Sequence, residues 1–373
     1  MADYENTLFE QEHISNHILK NRYITAPMTR VSSDEDGTPN ERVRQYYEQF
    51  AVGGFAAVIT EGVYPDTAYS QGYEYQGGLA TEKHKEAWKP IVSDMQHRGA
   101  KVIAQLMHAG AQSQGNYYKD TSVAPSAFQP PGGKVPVYGG EGEFQTAEPL
   151  SKEGIDEVKR GFVQSARLAR EAGFDGIELH GANGYLLDQF LSETINVRDD
   201  EYGGSVENRL RMLVETIHDV RAEVGSNMML GIRISQLKAT NPHFRWPGGE
   251  EDARIIFTAL GASEVDYIHI SDMDATAPGF GKNTMTMTEA AQKFSGVPVI
   301  ACGSLSDPET ASSLIENNIA DFISIARQAL ANPDTPIRVK RGLPLDEFDK
   351  EAIMKPKAYI KDEEFEKELA EDI

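Results

Sequence analysis

The chain predicts an α/β protein, a closed (β/α)8 barrel of the TIM type with a capping insertion after its third strand. Three observations lead there. Eight short apolar runs alternate with longer segments of helical pattern, and non-alternating apolar runs belong in parallel strands buried on both faces. No Gly-x-Gly-x-x-Gly follows the first run, where the competing architecture, an open doubly wound sheet, would carry its dinucleotide fingerprint. Polar and glycine residues stand at the C-terminal end of nearly every run, the face on which such barrels build their sites.

In chain order the expected strands are residues 23–26, 56–60, 102–106, 176–179, 229–234, 267–270, 297–301 and 322–325. Helical patterns fill most of the gaps, at 40–51, 81–97, 151–171, 205–223, 250–260 and 308–316. Thr81 and Ser151 precede glutamate-containing first turns, and Asp307-Pro308 is a cap followed by proline at the first helical position. Residues 110–149 break the alternation. They are rich in Gly, Pro, Gln, Ser and Tyr, too polar for a core helix and too long for an ordinary connection, so they read as a cap over the barrel mouth. Tyr117, Tyr118 and Tyr138 are its candidate entrance aromatics, and Tyr73 and Tyr75 in the stretch QGYEYQGG are candidate lid residues. The acidic tail, residues 344–373, reads as peripheral to a single domain.

Composition narrows the function. With 58 acidic against 36 basic residues the formal charge is −22, which disfavours nucleic acid and anionic membranes and favours a small-molecule partner. A single cysteine, Cys302, excludes an intrachain disulfide framework and multi-cysteine metal or iron-sulfur clusters. The N-terminal residues lack a charged-then-apolar leader, and no uncharged apolar run approaches the ~20 residues of a membrane span. A cytoplasmic protein, monomeric or homodimeric and without a metal centre, is the expectation. His84, His97, His218, His243 and His269 show no metal-ligand spacing and read as structural or solvated, Trp88 as core, and Cys302 as an inert buried thiol.

The candidate chemistry sits after the fourth run, in residues 176–209. An imidazole, a carboxamide and a phenol follow one another there as His180, Asn183 and Tyr185. The first two can converge on one oxygen while the phenol reaches a neighbouring atom. The other run ends supply Pro27-Met28-Thr29-Arg30, Glu61-Gly62, Gln105 with His108, Arg233, Gly303-Ser304 and Arg327. Each alone reads equally well as a satisfied buried group; together, on one barrel face, they read as a site. Barrels often hold phosphate in the loops after strands seven and eight, and here those offer Gly303, Ser304 and Arg327. A phosphate there, Gln105 able to donate and accept as a pyrimidine edge requires, and Arg233 supplying positive charge where a reduced flavin is negative point to FMN.

At this point the sequence resembles the Old Yellow Enzyme family of FMN-dependent ene-reductases. Asn21-Arg22 with Ala26-Pro27-Met28-Thr29-Arg30, Ile59-Thr60-Glu61-Gly62, and Gln105-Leu106 with His108-Ala109-Gly110 resemble its first three strands. His180-Gly181-Ala182-Asn183-Gly184-Tyr185-Leu186-Leu187-Asp188-Gln189-Phe190-Leu191, then Asp200-Glu201-Tyr202-Gly203-Gly204-Ser205 and Glu207-Asn208-Arg209, resemble its most distinctive signature. The resemblance runs from about residue 8 to residue 341. It implies that Thr29 hydrogen-bonds the flavin near N5, that Pro27, Met28, Gly62, Gln105 and Arg233 bind the ring, and that Gly303, Ser304, Ala326 and Arg327 flank the phosphate. It further implies that His180 and Asn183, with Tyr73 nearby, bind an enone, nitro or quinone-like substrate, that Tyr185 donates the proton, and that NADPH or NADH is the reductant. His180-x-x-Asn183 together with Thr29 resembles the branch of the yeast and pentaerythritol-tetranitrate-type reductases. Ala326 stands where the family usually has glycine, and residues 241–246 and the tail follow no family pattern. Two other classes fit the same residues: a flavin-free barrel lyase or isomerase using Tyr185 and His180 as acid and base, and a flavoprotein of other chemistry, such as N-demethylation, quinone or nitro reduction, or ligand sensing.

Overall fold

A short strand alone leaves its N–H and C=O groups unpaired, so the apolar runs must lie side by side. In a computed structural model, which describes residues 4–370, they do so around a closed ring. The strands in chain order are β1 (Glu12–Ile14), β2 (His17–Leu19), β3 (Tyr23–Thr25), β4 (Ala57–Ile59), β5 (Lys101–Leu106), β6 (Val123–Ala124), β7 (Glu148–Pro149), β8 (Gly176–Asn183), β9 (Met229–Lys238), β10 (Tyr267–Ile270), β11 (Val299–Cys302) and β12 (Phe322–Ile325). Strands β3, β4, β5, β8, β9, β10, β11 and β12 pair in parallel in that order, and β12 returns to β3. Closure excludes the open doubly wound sheet.

The helices are α1 (Tyr4–Phe9), α2 (Glu41–Val52), α3 (Glu82–His97), α4 (Lys152–Ala172), α5 (Leu186–Leu191), α6 (Val206–Val224), α7 (Glu250–Gly261), α8 (Met287–Ser295), α9 (Pro308–Glu316), α10 (Arg327–Ala331), α11 (Thr335–Lys340) and α12 (Lys350–Met354). Asn40, Thr81, Ser151, Ser205 and Asp307 lie one residue before their helices, each accepting a first-turn N–H. A cap of this kind is worth about 1 kcal/mol.

Inward-pointing residues fill the lower barrel with Ile59, Ile103, Met229, Tyr267, Ile300 and Phe322, and the β1–β2 hairpin seals that end with Ile14 and Leu19. Space is short: a Cβ on Gly231 would stand 2.1 Å from the Tyr267 ring. The upper barrel is polar. Strands β8 and β9 run on to Asn183 and Lys238, past their expected ends at residues 179 and 234, because the polar residues that interrupt the apolar pattern remain hydrogen-bonded across the pair.

The tail is not peripheral. Asp346 accepts from Gln328 and Asn332 and donates its N–H to Asn332. Further on, Arg30 donates to the Ala358 carbonyl and to both oxygens of Glu364, and its guanidinium lies 4.9 Å from the Tyr46 ring centroid. Ala358 and Ile360 are buried. Acidic composition suggested a solvated segment, but the apolar residues between the charges pack against the barrel rim. The last three residues lie outside the described residues, as do the first three of the N-terminal stretch. Glu364→Ala leaves Arg30 buried without its counter-charge, and urea unfolding should show a loss on the order of 3 kcal/mol. A change under about 0.5 kcal/mol, the size expected at an ordinary surface position, would contradict this anchoring.

Candidate active site

The upper strand ends enclose a cavity of about 630 Å³, within the range of small-molecule and cofactor sites. Pro27, Met28, Thr29, Gly62, Gln105 and Arg233 line it, as do Ala326 and Arg327 at one end. His180, Asn183, Tyr185 and Tyr73 line it too, so residues far apart in sequence meet in one space. Gly303 and Ser304 do not line this cavity, and the Ser304 hydroxyl is committed to the Met273 carbonyl at 2.9 Å. Of the cap tyrosines Tyr138 reaches the cavity, whereas Tyr117 is exposed and Tyr118 hydrogen-bonds Tyr64 and the Asp36 carbonyl. Ala326 adopts a negative φ, −110°, so the left-handed conformation that favours glycine is not required at that turn.

Beneath the cavity lies a buried polar layer built on Glu178, which alternation points inward from β8. Its carboxylate accepts from Gln105 Nε2 at 2.8 Å, Tyr267 Oη at 3.1 Å and His269 Nδ1 at 2.9 Å. Burial works against its charge, but His269 and Arg233 overcome that and hold its pKa below the ordinary value. The converse holds for His269, where burial opposes the cation and Glu178 raises its pKa above the usual imidazole value. Gln105 thereby spends one N–H on Glu178 and keeps the other, with its carbonyl oxygen, for the cavity. The Arg233 Nη2 lies 3.5 Å from Cys302 Sγ, while its buried Nε has no partner among the described residues. Cys302, expected as an inert buried thiol, thus sits beside a guanidinium. Burial raises it, but hydrogen bonding to His269 and the charge of Arg233 bring it down to about 6.

On the opposite wall, His180 Nδ1 accepts the Ala182 N–H at 3.3 Å, which assigns the ring proton to Nε2. Burial first, then the charges of Arg233 and His269, push its pKa well below the usual value, so the ring is a neutral donor. A register shift between Gly181 and Asn183, with φ +59° at Asn183, turns that side chain out of the strand's alternation. Its Nδ2 lies 3.4 Å from Ser271 Oγ. Tyr185 follows on the short turn into α5, its ring centroid 4.9 Å from that of His180 and its hydroxyl 2.5 Å from the Tyr73 hydroxyl. Burial outweighs that hydrogen bond and pushes the Tyr185 phenol up to about 12.

The turn is held from behind. Asp188 accepts the Gly184 N–H at 2.7 Å and pairs with Lys238 at 2.5 Å, both side chains almost fully buried. Burial pushes the Asp188 carboxyl up and the Lys238 amine down, and the pairing opposes both shifts. Lys238 also lies 4.6 Å from the Phe244 ring centroid, which packs that residue behind the turn.

Comparisons with known proteins identify the family. Residues 7–346 match the model of the NADH:flavin oxidoreductase / NADH oxidase family. The chain belongs to the Old Yellow Enzyme family. It is 36% identical to putative 12-oxophytodienoate reductase 5 of Oryza sativa subsp. japonica, over 89% of this chain and 87% of that one. Identity to the NADPH dehydrogenase of Clostridium acetobutylicum is 31%, over 87% and 92% of the two chains. The solved old yellow enzyme homologue from Zymomonas mobilis superposes with a TM-score of 0.84 at 28% identity, covering 96% of this chain and 98% of that one. Morphinone reductase in complex with tetrahydroNAD superposes at 0.81 and 28%, covering 95% and 98%.

As a member of that family the protein is an FMN-dependent NAD(P)H oxidoreductase, which removes the flavin-free lyase or isomerase. The residues present fit FMN. The cavity is large enough, Arg233 holds an unsatisfied buried donor at its edge, Gln105 offers a donor and an acceptor, and Arg327 supplies a cation at the end suited to phosphate.

Sequence reasoning missed Glu178, whose signal was a charged residue inside the apolar run GIEL, and Met107, which follows Gln105 by the two residues that return to one strand face. It also missed the Lys238–Asp188 pair, whose partners lie 50 positions apart. Lys238→Met strands Asp188 without its partner and should cost on the order of 3 kcal/mol in urea unfolding, whereas Lys238→Met with Asp188→Leu should recover most of it. Equal stability of the single variant and wild type would contradict this role.

Proposed function

We propose that the protein reduces the activated C=C bond of α,β-unsaturated carbonyl or nitro compounds. The observation that carries the reading is the convergence of two neutral donors, His180 and Asn183, and a protonated phenol, Tyr185, on one cavity. Bound FMN, held in this reading by Pro27, Met28, Thr29, Gly62, Gln105, Arg233, Ala326 and Arg327, supplies a hydride taken from NADPH or NADH.

His180 Nε2–H and the Asn183 amide grip the activating oxygen of the substrate. Both stabilise the negative charge that gathers there as the β carbon accepts hydride, a contribution on the order of 3 kcal/mol for a well-aimed donor. Neutral donors suit the task, because they also leave the oxygen free to depart with product. Tyr185 delivers its proton to the α carbon, and the Tyr73 hydroxyl, donating to the Tyr185 oxygen, stabilises the phenolate left behind. Tyr138, its ring tilted against that of Tyr73 at a centroid distance of 5.0 Å, covers that face.

The acid has a pH signature. A phenol donates only while protonated, and a pKa of about 12 keeps Tyr185 protonated throughout the neutral and mildly alkaline range. Its contribution is flat there and is lost as pH rises through that value. Tyr185→Phe should lower the rate at which 2-cyclohexenone reoxidises the NADPH-reduced enzyme by roughly 10²- to 10⁴-fold and leave flavin reduction by NADPH unchanged. Unaltered enone reduction in that variant would remove Tyr185 from the mechanism.

A further inference from the structure

The tail segment between its two anchors separates two cavities, and its residues sort by which one they line. Glu347, Asp349 and Glu351 line a second cavity of about 460 Å³ on the outer side. Phe348, Lys350 and Met354 line the flavin cavity. The segment thus presents three carboxylates, at alternate positions, to one cavity and two apolar residues with a single cation to the other.

The segment is held next to the turn that carries Arg327. Asp346 is hydrogen-bonded through main-chain atoms to Gln328 and Asn332, one and five residues beyond Arg327. Lys350 follows only four residues later. Lys350 and Arg327 are both exposed and, among the described residues, neither has a hydrogen-bond or ion-pair partner, in a chain whose formal charge is −22. Most other lysines and arginines near the tail are paired or capped: Arg30 with Glu364, Arg42 with Asp362, Lys355 with Glu351 and Lys361 with two carbonyls. Two cations from different elements, neither partnered among the described residues, thus line one cavity and lack an anion.

We propose that Lys350 is a cofactor-binding residue of this chain: with Arg327 it holds the phosphate of FMN, and the tail segment that carries it forms the wall of the flavin site at that end. A phosphate monoester is close to dianionic at neutral pH, so one guanidinium leaves charge for a second cation. Arg327 supplies paired N–H groups in fixed geometry and Lys350 a mobile point charge. Phe348 and Met354 supply apolar surface beside it.

The test compares FMN with riboflavin, the same ring and ribityl chain without phosphate, by titrating flavin fluorescence against the deflavinated full-length protein. Lys350→Ala should weaken FMN binding roughly tenfold and leave riboflavin binding unchanged, with Lys350→Arg restoring most of the FMN affinity and circular dichroism confirming the fold of each variant. Arg327→Ala separates failure of this inference from failure of the flavin-site reading. If Arg327→Ala weakens FMN selectively and Lys350→Ala does not, Lys350 is no phosphate ligand and the proposal is overturned. Should neither variant affect FMN, the phosphate lies elsewhere and the site reading falls with it. Equal weakening of FMN and riboflavin by Lys350→Ala would show a wall residue without phosphate contact. A raised KM for NADPH with unchanged FMN affinity would assign Lys350 to the reductant and likewise overturn the proposal.

Discussion

The upper barrel depends on one carboxylate sealed inside it. An ionised carboxylate removed from water costs several kcal/mol unless donors replace the lost hydration. Glu178 meets that demand with Gln105, Tyr267 and His269, drawn from two other strands of the ring. The charge it retains balances two cations nearby, His269 and Arg233. It also fixes the orientation of the Gln105 amide and so decides which groups face the cavity. The recognition surface for a flavin ring is in this sense the far side of a charge balance struck within the barrel.

The same separation governs the whole barrel axis. Apolar residues and a sealing hairpin occupy one end, where space is so limited that Gly231 has no room for a Cβ beside Tyr267. At the other end the side chains are polar and need partners, and three further devices hold them: the Lys238–Asp188 pair behind the Asn183 turn, the Tyr73–Tyr185 contact, and the Arg30–Glu364 link to the tail. Each uses residues distant in sequence, so the site is rigid only when the barrel is closed.

That distance also decides what could be read in advance. The eight strands were legible because each apolar run is local, and the helix starts because caps act over three residues. The cavity residues of β3, β4, β5, β8 and β9 were legible because strand ends converge in any closed barrel. Strand ends were misplaced where His180 and Asn183 interrupt the apolar pattern while still pairing across the ladder. Partnerships such as Glu178 with Tyr267, or Arg30 with Glu364 across 334 positions, leave no local trace. The tail was misjudged for a related reason: its acidic residues dominate its composition, while Phe348, Ile353, Ala358 and Ile360, which dock it, are too irregularly spaced to show a period. The charged neighbours of Cys302 left no trace in the sequence because they sit on other strands.

The central claim is that His180 and Asn183 bind an activating oxygen over the flavin so that an alkene can be reduced. The most direct measurement mixes NADPH-reduced holoenzyme with 2-cyclohexenone under anaerobic conditions and follows both flavin absorbance and cyclohexanone. The account predicts reoxidation with one cyclohexanone per flavin, and severe slowing when His180 and Asn183 are both replaced by alanine while flavin reduction persists. Reoxidation that requires oxygen and yields no cyclohexanone, or an undiminished rate in the double variant, would contradict it.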